Sequence, residues 1–173
     1  SGIYYNKDKF KELGLTVPET WDEFVTLVEQ IKAKGEIPFS VAGTEGWTLN
    51  GYHQLSLITI TGSNDKANAY LRFSKPHAIK ATDKVLKEDA KKLDLLADKG
   101  NQQKNWKGAS YNDALVSFAN EEVLMTSNGS WALAAIRQQN PKFEIGTFAF
   151  PGKNKADKAT VGAGDLALSI SSK

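Results

Sequence analysis

Two tryptophans stand where a ligand could reach them. Trp131 follows the stretch Met125-Thr126-Ser127-Asn128-Gly129-Ser130. Glu122 to Thr126 has the composition of a short buried strand, and Trp131 to Arg137 that of a helix. Asn128-Gly129-Ser130 is the joint between them, a flexible turn with Ser130 as the expected N-cap. A residue on the first turn of a helix, just past the end of a strand, lies at the edge of an α/β sheet where ligands bind. The unsatisfied N–H groups of a helix start can donate to ligand oxygens. The competing reading makes Trp131 a core residue that closes a strand–helix unit. Trp47 lies in Ala42 to Gly51, a span with three glycines that reads as a loop. A tryptophan on such a loop has little core to join. Covalent and metal chemistry have few carriers. There is no cysteine, and the two histidines, His53 and His77, are far apart and lack a metal-ligand spacing. No cofactor is expected.

The 173 residues suffice for one domain with a sizeable core. A hydrophobic share of 40% and a charged share of 24% are ordinary for a globular domain. Net charge is +2, from 22 basic and 20 acidic residues, which argues against a nucleic-acid binder. The Lys-rich stretch from Lys84 to Lys99 also carries Asp and Glu, as a solvated helix face would. No apolar run approaches the roughly 18 residues of a membrane span. Ile3-Tyr4-Tyr5 opens like a strand already under way, so a piece of a longer protein is expected.

The elements that must position the tryptophans follow in order. After the strand at Ile3 to Tyr5, Asn6 starts a helix that Gly14 terminates. Thr20 to Glu23 is a capping box, in which Thr20 and Glu23 satisfy each other's backbone donors. The helix behind it places Trp21, Phe24, Val25, Val28 and Ile31 on one face, and Lys34-Gly35 ends it. Ile37 to Val41 reads as a strand. A helix is predicted from Tyr52 to Thr61, and a short one from Asp65 to Phe73 that Pro76 breaks. Leu86, Ala90, Leu93, Leu96 and Ala97 fall at helical spacing before Gly100. Ser110 to Asp113 repeats the capping logic, and its helix buries Tyr111, Ala114, Leu115 and Phe118. Phe143 to Phe148 alternates as a strand, and Leu166 to Ser171 reads as a buried one. Strands and helices alternate throughout, which predicts a single α/β unit over residues 1–173, with a central mixed sheet and helices on both faces.

Four separated stretches together resemble one family. Ile3 to Asp8 followed by Pro18 to Glu23 resembles the segment with which sugar-type extracellular solute-binding proteins of ABC importers enter their second lobe. Phe118 to Trp131 resembles their "F…G.a.M..nG.W" stretch. Phe148 to Gly152 resembles the strand and proline turn after it. Val161 to Asp165 with Leu168 to Ser171 resembles the glycine-containing strand near the lobe's end. The resemblance implies one lobe of a periplasmic-binding-protein-like (type II) fold, with the other lobe absent from this chain. It implies a hinge-closing monomer that delivers sugar to permease subunits. It also implies an export signal on the parent protein, and contact with the membrane only through an anchor outside this segment, on a cell surface or in a periplasm. Trp131 matches the family's tryptophan after the "nG" turn. Glu45-Gly46-Trp47 sits where maltodextrin-binding relatives carry a ligand-contacting acidic residue and aromatic. Gly164 and Asp165 match a cleft-edge position.

A sugar offers hydroxyls at its edge and a C–H face, so its recognition needs flat aromatics with carboxylates or amides beside them. Trp47, Trp131, Glu45 and Asp165 supply that mixture. A loop carboxylate is as often merely solvated or capping. Trp21 belongs to the core by its helical phase, and Trp106, Tyr4, Tyr5 and Tyr52 to core or hinge. Two alternatives remain at this level. One is a binder of a non-sugar solute. The other is a glycoside hydrolase with Glu45 and Asp165 as its acid and base pair.

Overall fold

The computed structural model describes residues 1–72, 79–162 and 169–171. Four strands, β1 (Gly2–Asn6), β2 (Phe39–Ser40), β3 (Met125–Asn128) and β4 (Ile145–Phe148), form one sheet in the order β2-β3-β1-β4. Strand β1 is antiparallel to both its neighbours, β3 and β4, while β2 and β3 are parallel. The sheet is therefore mixed, as expected. Side chains on a strand alternate between faces. Ile3 accordingly enters one apolar cluster and Tyr4 the other.

Helices cover both faces. The larger cluster packs α1 (Lys7–Glu12), α2 (Trp21–Ala33), α3 (Gly46–Thr61) and α5 (Lys84–Ala97) on the sheet through Phe10, Phe24, Tyr52 and Leu95. The smaller one packs α6 (Tyr111–Ala119) and α7 (Ala132–Gln138) through Leu115, Phe118 and Ile136. The short helix α4 (Asn64–Leu71) lies against α3. Trp21 is half-buried and stacked on Phe150, with ring centroids 5.9 Å apart, so it belongs to the larger core.

Local signals placed most helix starts. The Asn6 side chain accepts from Lys9 N, and Ser110 and Asp113 form a reciprocal capping box. At α2 the box is displaced: Thr20 Oγ1 accepts from Glu23 N, but the Glu23 carboxylate takes the N–H of Glu19 instead of Thr20. Strand β2 has two residues instead of the five expected from Ile37 to Val41. The Val41 backbone instead exchanges two hydrogen bonds with the Gln103 side-chain amide. The expected strand at Glu122 to Thr126 forms three residues later, because Glu121 takes a left-handed turn at φ 62° before β3. Of the strand expected at Leu166 to Ser171, residues 166–168 lie outside the described residues. Residues 169–171 are exposed and form no strand. Phe73 and Pro76, expected to end a helix, also lie outside; α4 ends at Leu71.

Helix α3 is the largest departure. It begins at Gly46, six residues before the expected start, and runs through Gly51. A mid-helix glycine costs about 1 kcal/mol relative to alanine. Burying Tyr52 and Leu55, both fully inaccessible, returns about 1.5–3 kcal/mol each, so tertiary packing outweighs the local penalty.

Helix α5 buries only part of the face its apolar pattern predicts: Leu93 and Leu96 pack on the larger core. Ala90 and Ala97 are exposed, whereas Asp89 and Lys92 are buried against α3. Asp89 accepts from Ser56 Oγ at 2.6 Å and lies 2.8 Å from His53 Nδ1. Lys92 Nζ donates to Thr59 Oγ1 at 2.8 Å and sits over the Trp21 ring. The Asp89 carboxylate beside the ring raises the His53 pKa. Burial pulls Lys92 from 10.5 down to about 8. The two act on stability in opposite senses. The His53 contribution is complete below its unfolded pKa of about 6.5 and is lost as pH rises through its higher folded value. Lys92 binds its proton more weakly when folded, so its contribution grows as pH rises from about 8 toward 10.5. Melting temperatures across this range are expected to lose the fall near neutrality in His53→Gln. The alkaline rise is expected to disappear in Lys92→Met.

Candidate functional site

The parallel pairing of β2 and β3 brings their carboxyl ends to one edge of the sheet, and antiparallel β1 starts there. Chain leaving β2 reaches Glu45 and the first turn of α3, which carries Trp47. Trp47 is thus on a helix, not on the loop expected from its glycines. Chain leaving β3 passes Asn128-Gly129-Ser130 to Trp131. Trp131 is itself the N-cap of α7, with φ −61° and no side-chain cap, so Ser130 does not take the capping role expected of it. Residues 84 positions apart thereby meet: the Trp47 and Trp131 ring centroids are 6.4 Å apart at 51°. Both remain about half exposed, at 49% and 51%.

Tyr111, at the start of α6, joins them. Its ring lies 4.8 Å from Trp47, and its hydroxyl accepts from Trp131 Nε1 at 3.1 Å while donating to Asn128 Oδ1 at 3.1 Å. Burial raises its pKa, which keeps the phenol protonated at neutral pH. Tyr111, expected in the core, packs half-buried against the smaller cluster and also lines this cleft. Gly129 lets the Trp131 ring lie on the backbone, since a Cβ there would come within 2.1 Å of a ring carbon. Tyr4 Oη donates to Gly129 O at 3.0 Å and holds the turn from below.

Glu45 has a different place from the one its type suggested. One carboxylate oxygen accepts from Tyr111 N at 2.7 Å and the other from Trp47 Nε1 at 3.0 Å. These two donors, the backbone one first, lower its pKa, and the positive end of α6 favours the same charged form. Both indole N–H groups are consequently satisfied within the protein, leaving ring faces rather than donors toward the cleft. Glu45→Gln keeps the size and removes the charge. It is expected to weaken ligand binding several-fold with little change in melting temperature, measured by calorimetry and thermal unfolding. Asp165 and Gly164 lie outside the described residues.

The cleft has a volume of about 450 Å³. Besides the three aromatics it is lined by Thr48, Asn50, Gln54, Ser127 and Asn128, and among the described residues none of its lining side chains carries a formal charge. Asn50 and Gln54 follow Trp47 at helical spacing, a stripe legible only once α3 is known to start at Gly46. Among the described residues no group of three His, Asp or Glu side chains could hold a metal ion.

Ring faces and amides at the carboxyl edge of a mixed sheet belong to an architecture shared with periplasmic solute-binding proteins. A chitin oligosaccharide binding protein superposes with a TM-score of 0.74 at 30% identity, over 87% of this chain and 37% of that one. The chain belongs to the bacterial extracellular solute-binding protein family, whose family model matches residues 1–173. It is 78% identical over all 173 residues to the multiple sugar-binding protein of Streptococcus mutans, of which it spans 41%. The structure of the solute-binding protein RafE in complex with raffinose superposes with a TM-score of 0.90 at 59% identity, over 95% of this chain and 43% of that one. The sn-glycerol-3-phosphate-binding periplasmic protein UgpB of Escherichia coli is 28% identical over 175 residues, covering 95% of this chain and 37% of that protein. The chain thus spans about two fifths of the relatives it matches.

Proposed function

We propose that this chain is one lobe of a two-lobed receptor that captures a neutral oligosaccharide outside the cytoplasmic membrane and delivers it to the permease of an ABC importer. The observation that carries this reading is the pair of exposed indole faces in a cleft whose described lining side chains are all uncharged. Apolar ring faces match the C–H face of a pyranose, and Asn50, Gln54 and Asn128 match its hydroxyls. The identity to a multiple sugar-binding protein and to RafE, whose structure holds raffinose, favours an oligosaccharide of that kind. A ligand held between two lobes also needs the second lobe, which closes over it and removes water from its other face. The lobe works as a monomer without a cofactor, in a periplasm or at a cell surface through an anchor outside this segment.

A phosphorylated ligand such as that of UgpB is disfavoured. A phosphate ester carries a charge that calls for Arg or Lys beside it, and among the described residues no lining side chain is basic. Hydrolysis is disfavoured too, because both oxygens of Glu45 are engaged by protein donors. The test is a titration of the full-length protein with raffinose and with sn-glycerol-3-phosphate, followed by chromatography of the recovered sugar. Saturable binding of intact raffinose, with no response to the phosphate, is the expected result. Released monosaccharide, or tighter binding of the phosphate, would overturn the reading.

A further inference from the structure

We propose that Asn128 is a self-deamidation site built into the cleft: the Gly129 backbone nitrogen attacks the Asn128 side-chain carbonyl carbon while the Tyr111 hydroxyl holds the oxygen on which charge develops. The geometry sets out the parts. Gly129 N–H donates to Asn128 Oδ1 at 3.0 Å, which folds the side-chain amide back beside the nitrogen that attacks once this proton is lost. Tyr111 Oη donates to the same oxygen at 3.1 Å and is itself polarised by the Trp131 indole N–H. Both neighbours of that oxygen are donors, which assigns it as the carbonyl rather than the NH2 group. A donor already aimed at an oxygen that gains charge needs no reorganisation when reaction begins. Residue 129 has no side chain to obstruct the approach.

The step balances without any oxidant or metal. Gly129 N–H gives its proton to solvent, a bond forms between that nitrogen and the side-chain carbon, and the bond from this carbon to Nδ2 breaks. Ammonia leaves, and a five-membered imide remains. Water then opens the ring at either carbonyl, restoring the chain with an aspartate or rerouting it through the side chain as isoaspartate. Solvent returns a proton to the departing nitrogen, and the net change is amide plus water to carboxylate plus ammonium. Either product harms a cleft of this kind. The aspartate places a charge beside described lining side chains that carry none. The isoaspartate adds a carbon to the backbone just before Gly129, on which the Trp131 ring rests. The liability follows from the site's own construction, since only glycine fits beneath that ring.

A second Asn-Gly pair, Asn50-Gly51, borders the same cleft but lies inside α3. There the Gly51 N–H is directed along the helix into the backbone ladder, away from the Asn50 side chain. It serves as an internal control of identical sequence. The experiment ages the folded full-length protein in mildly alkaline buffer and follows both sites by peptide mass mapping, with an enzymatic assay for isoaspartate. Asn128 is expected to convert and Asn50 to stay intact. Tyr111→Phe, which removes one oxygen, is expected to slow conversion at Asn128 several-fold and leave Asn50 unaffected. An Asn128 that persists in the folded protein while converting in denaturant would overturn the proposal. So would a Tyr111→Phe rate equal to or above that of the parent. The affinity arm rests on the sugar-binding reading: fully converted protein is expected to bind raffinose about tenfold or more weakly. If fresh protein does not bind raffinose, that reading fails, and the mapping arms still decide the chemistry.

Discussion

Trp131→Ala is expected to lower the affinity of the full-length protein for raffinose by about 30- to 150-fold, or roughly 2–3 kcal/mol. The ring is half exposed without ligand and lies flat enough on Gly129 that its outer face is free. Covering that face with a sugar removes apolar area from water, and the ring's quadrupole adds a smaller directional part. Tryptophan in such a position is a common energetic centre of binding. Gly129→Ala should reproduce most of the loss while keeping the Trp131 side chain itself. Its new methyl would sit 2.1 Å from a ring carbon of Trp131, so the indole must swing away. Titration calorimetry measures both, and thermal unfolding should place both variants near the parent, because Trp131 contributes little to either core cluster. Unchanged affinity in Trp131→Ala would mean that the ligand lies elsewhere.

Phe24→Ala is expected to act in the opposite way. Phe24 is completely inaccessible and touches four rings edge-on, those of Trp21, Phe39, Phe148 and Phe150, at centroid distances of 5.7–6.1 Å. Its neighbours come from α2, β2, β4 and the strand's extension beyond Phe148, so no single element can move to fill the space. Truncating a buried phenylalanine in such a setting costs about 3–5 kcal/mol. That is a large part of the 5–15 kcal/mol that holds an ordinary domain together. Denaturant unfolding should show the loss directly, with a fall in melting temperature on the order of 10 °C. Affinity measured well below that temperature should stay close to the parent's, since Phe24 lies in the core beneath the sheet and does not line the cleft. A fall in affinity as large as that of Trp131→Ala would show that the core and the cleft are coupled.

The contrast between these variants marks where sequence reasoning holds and where it stops. Caps at Asn6, Thr20 and Ser110 were legible because each is a hydrogen bond to a residue three positions on, decided by local chain geometry. The face of α2 was legible for a similar reason: its apolar spacing matches a helix and the core accepts it. The mixed α/β class followed from the alternation of such elements. The place of Trp131, just past the end of a strand at a helix start, was legible through the turn that precedes it.

Three things needed the tertiary structure. The first turn of α3 is one. Locally its glycines argue for a loop, and only the burial of Tyr52 and Leu55 against β3 and α5 extends the helix back to Trp47. The buried charges of α5 are another. Asp89 and Lys92 read as solvent-facing because Ser56 and Thr59, the partners that satisfy them, lie 33 residues away. The third is the site itself. Nothing local pairs Trp47 with Trp131 or turns Tyr111 toward both. That meeting depends on β2 and β3 lying side by side in the same direction, so that two chain segments far apart in sequence leave the sheet at one edge. Hydrogen-bond reach along the chain ends after a few residues. The arrangement of the cleft is a property of strand order, which the sequence specifies only through the packing of the whole chain.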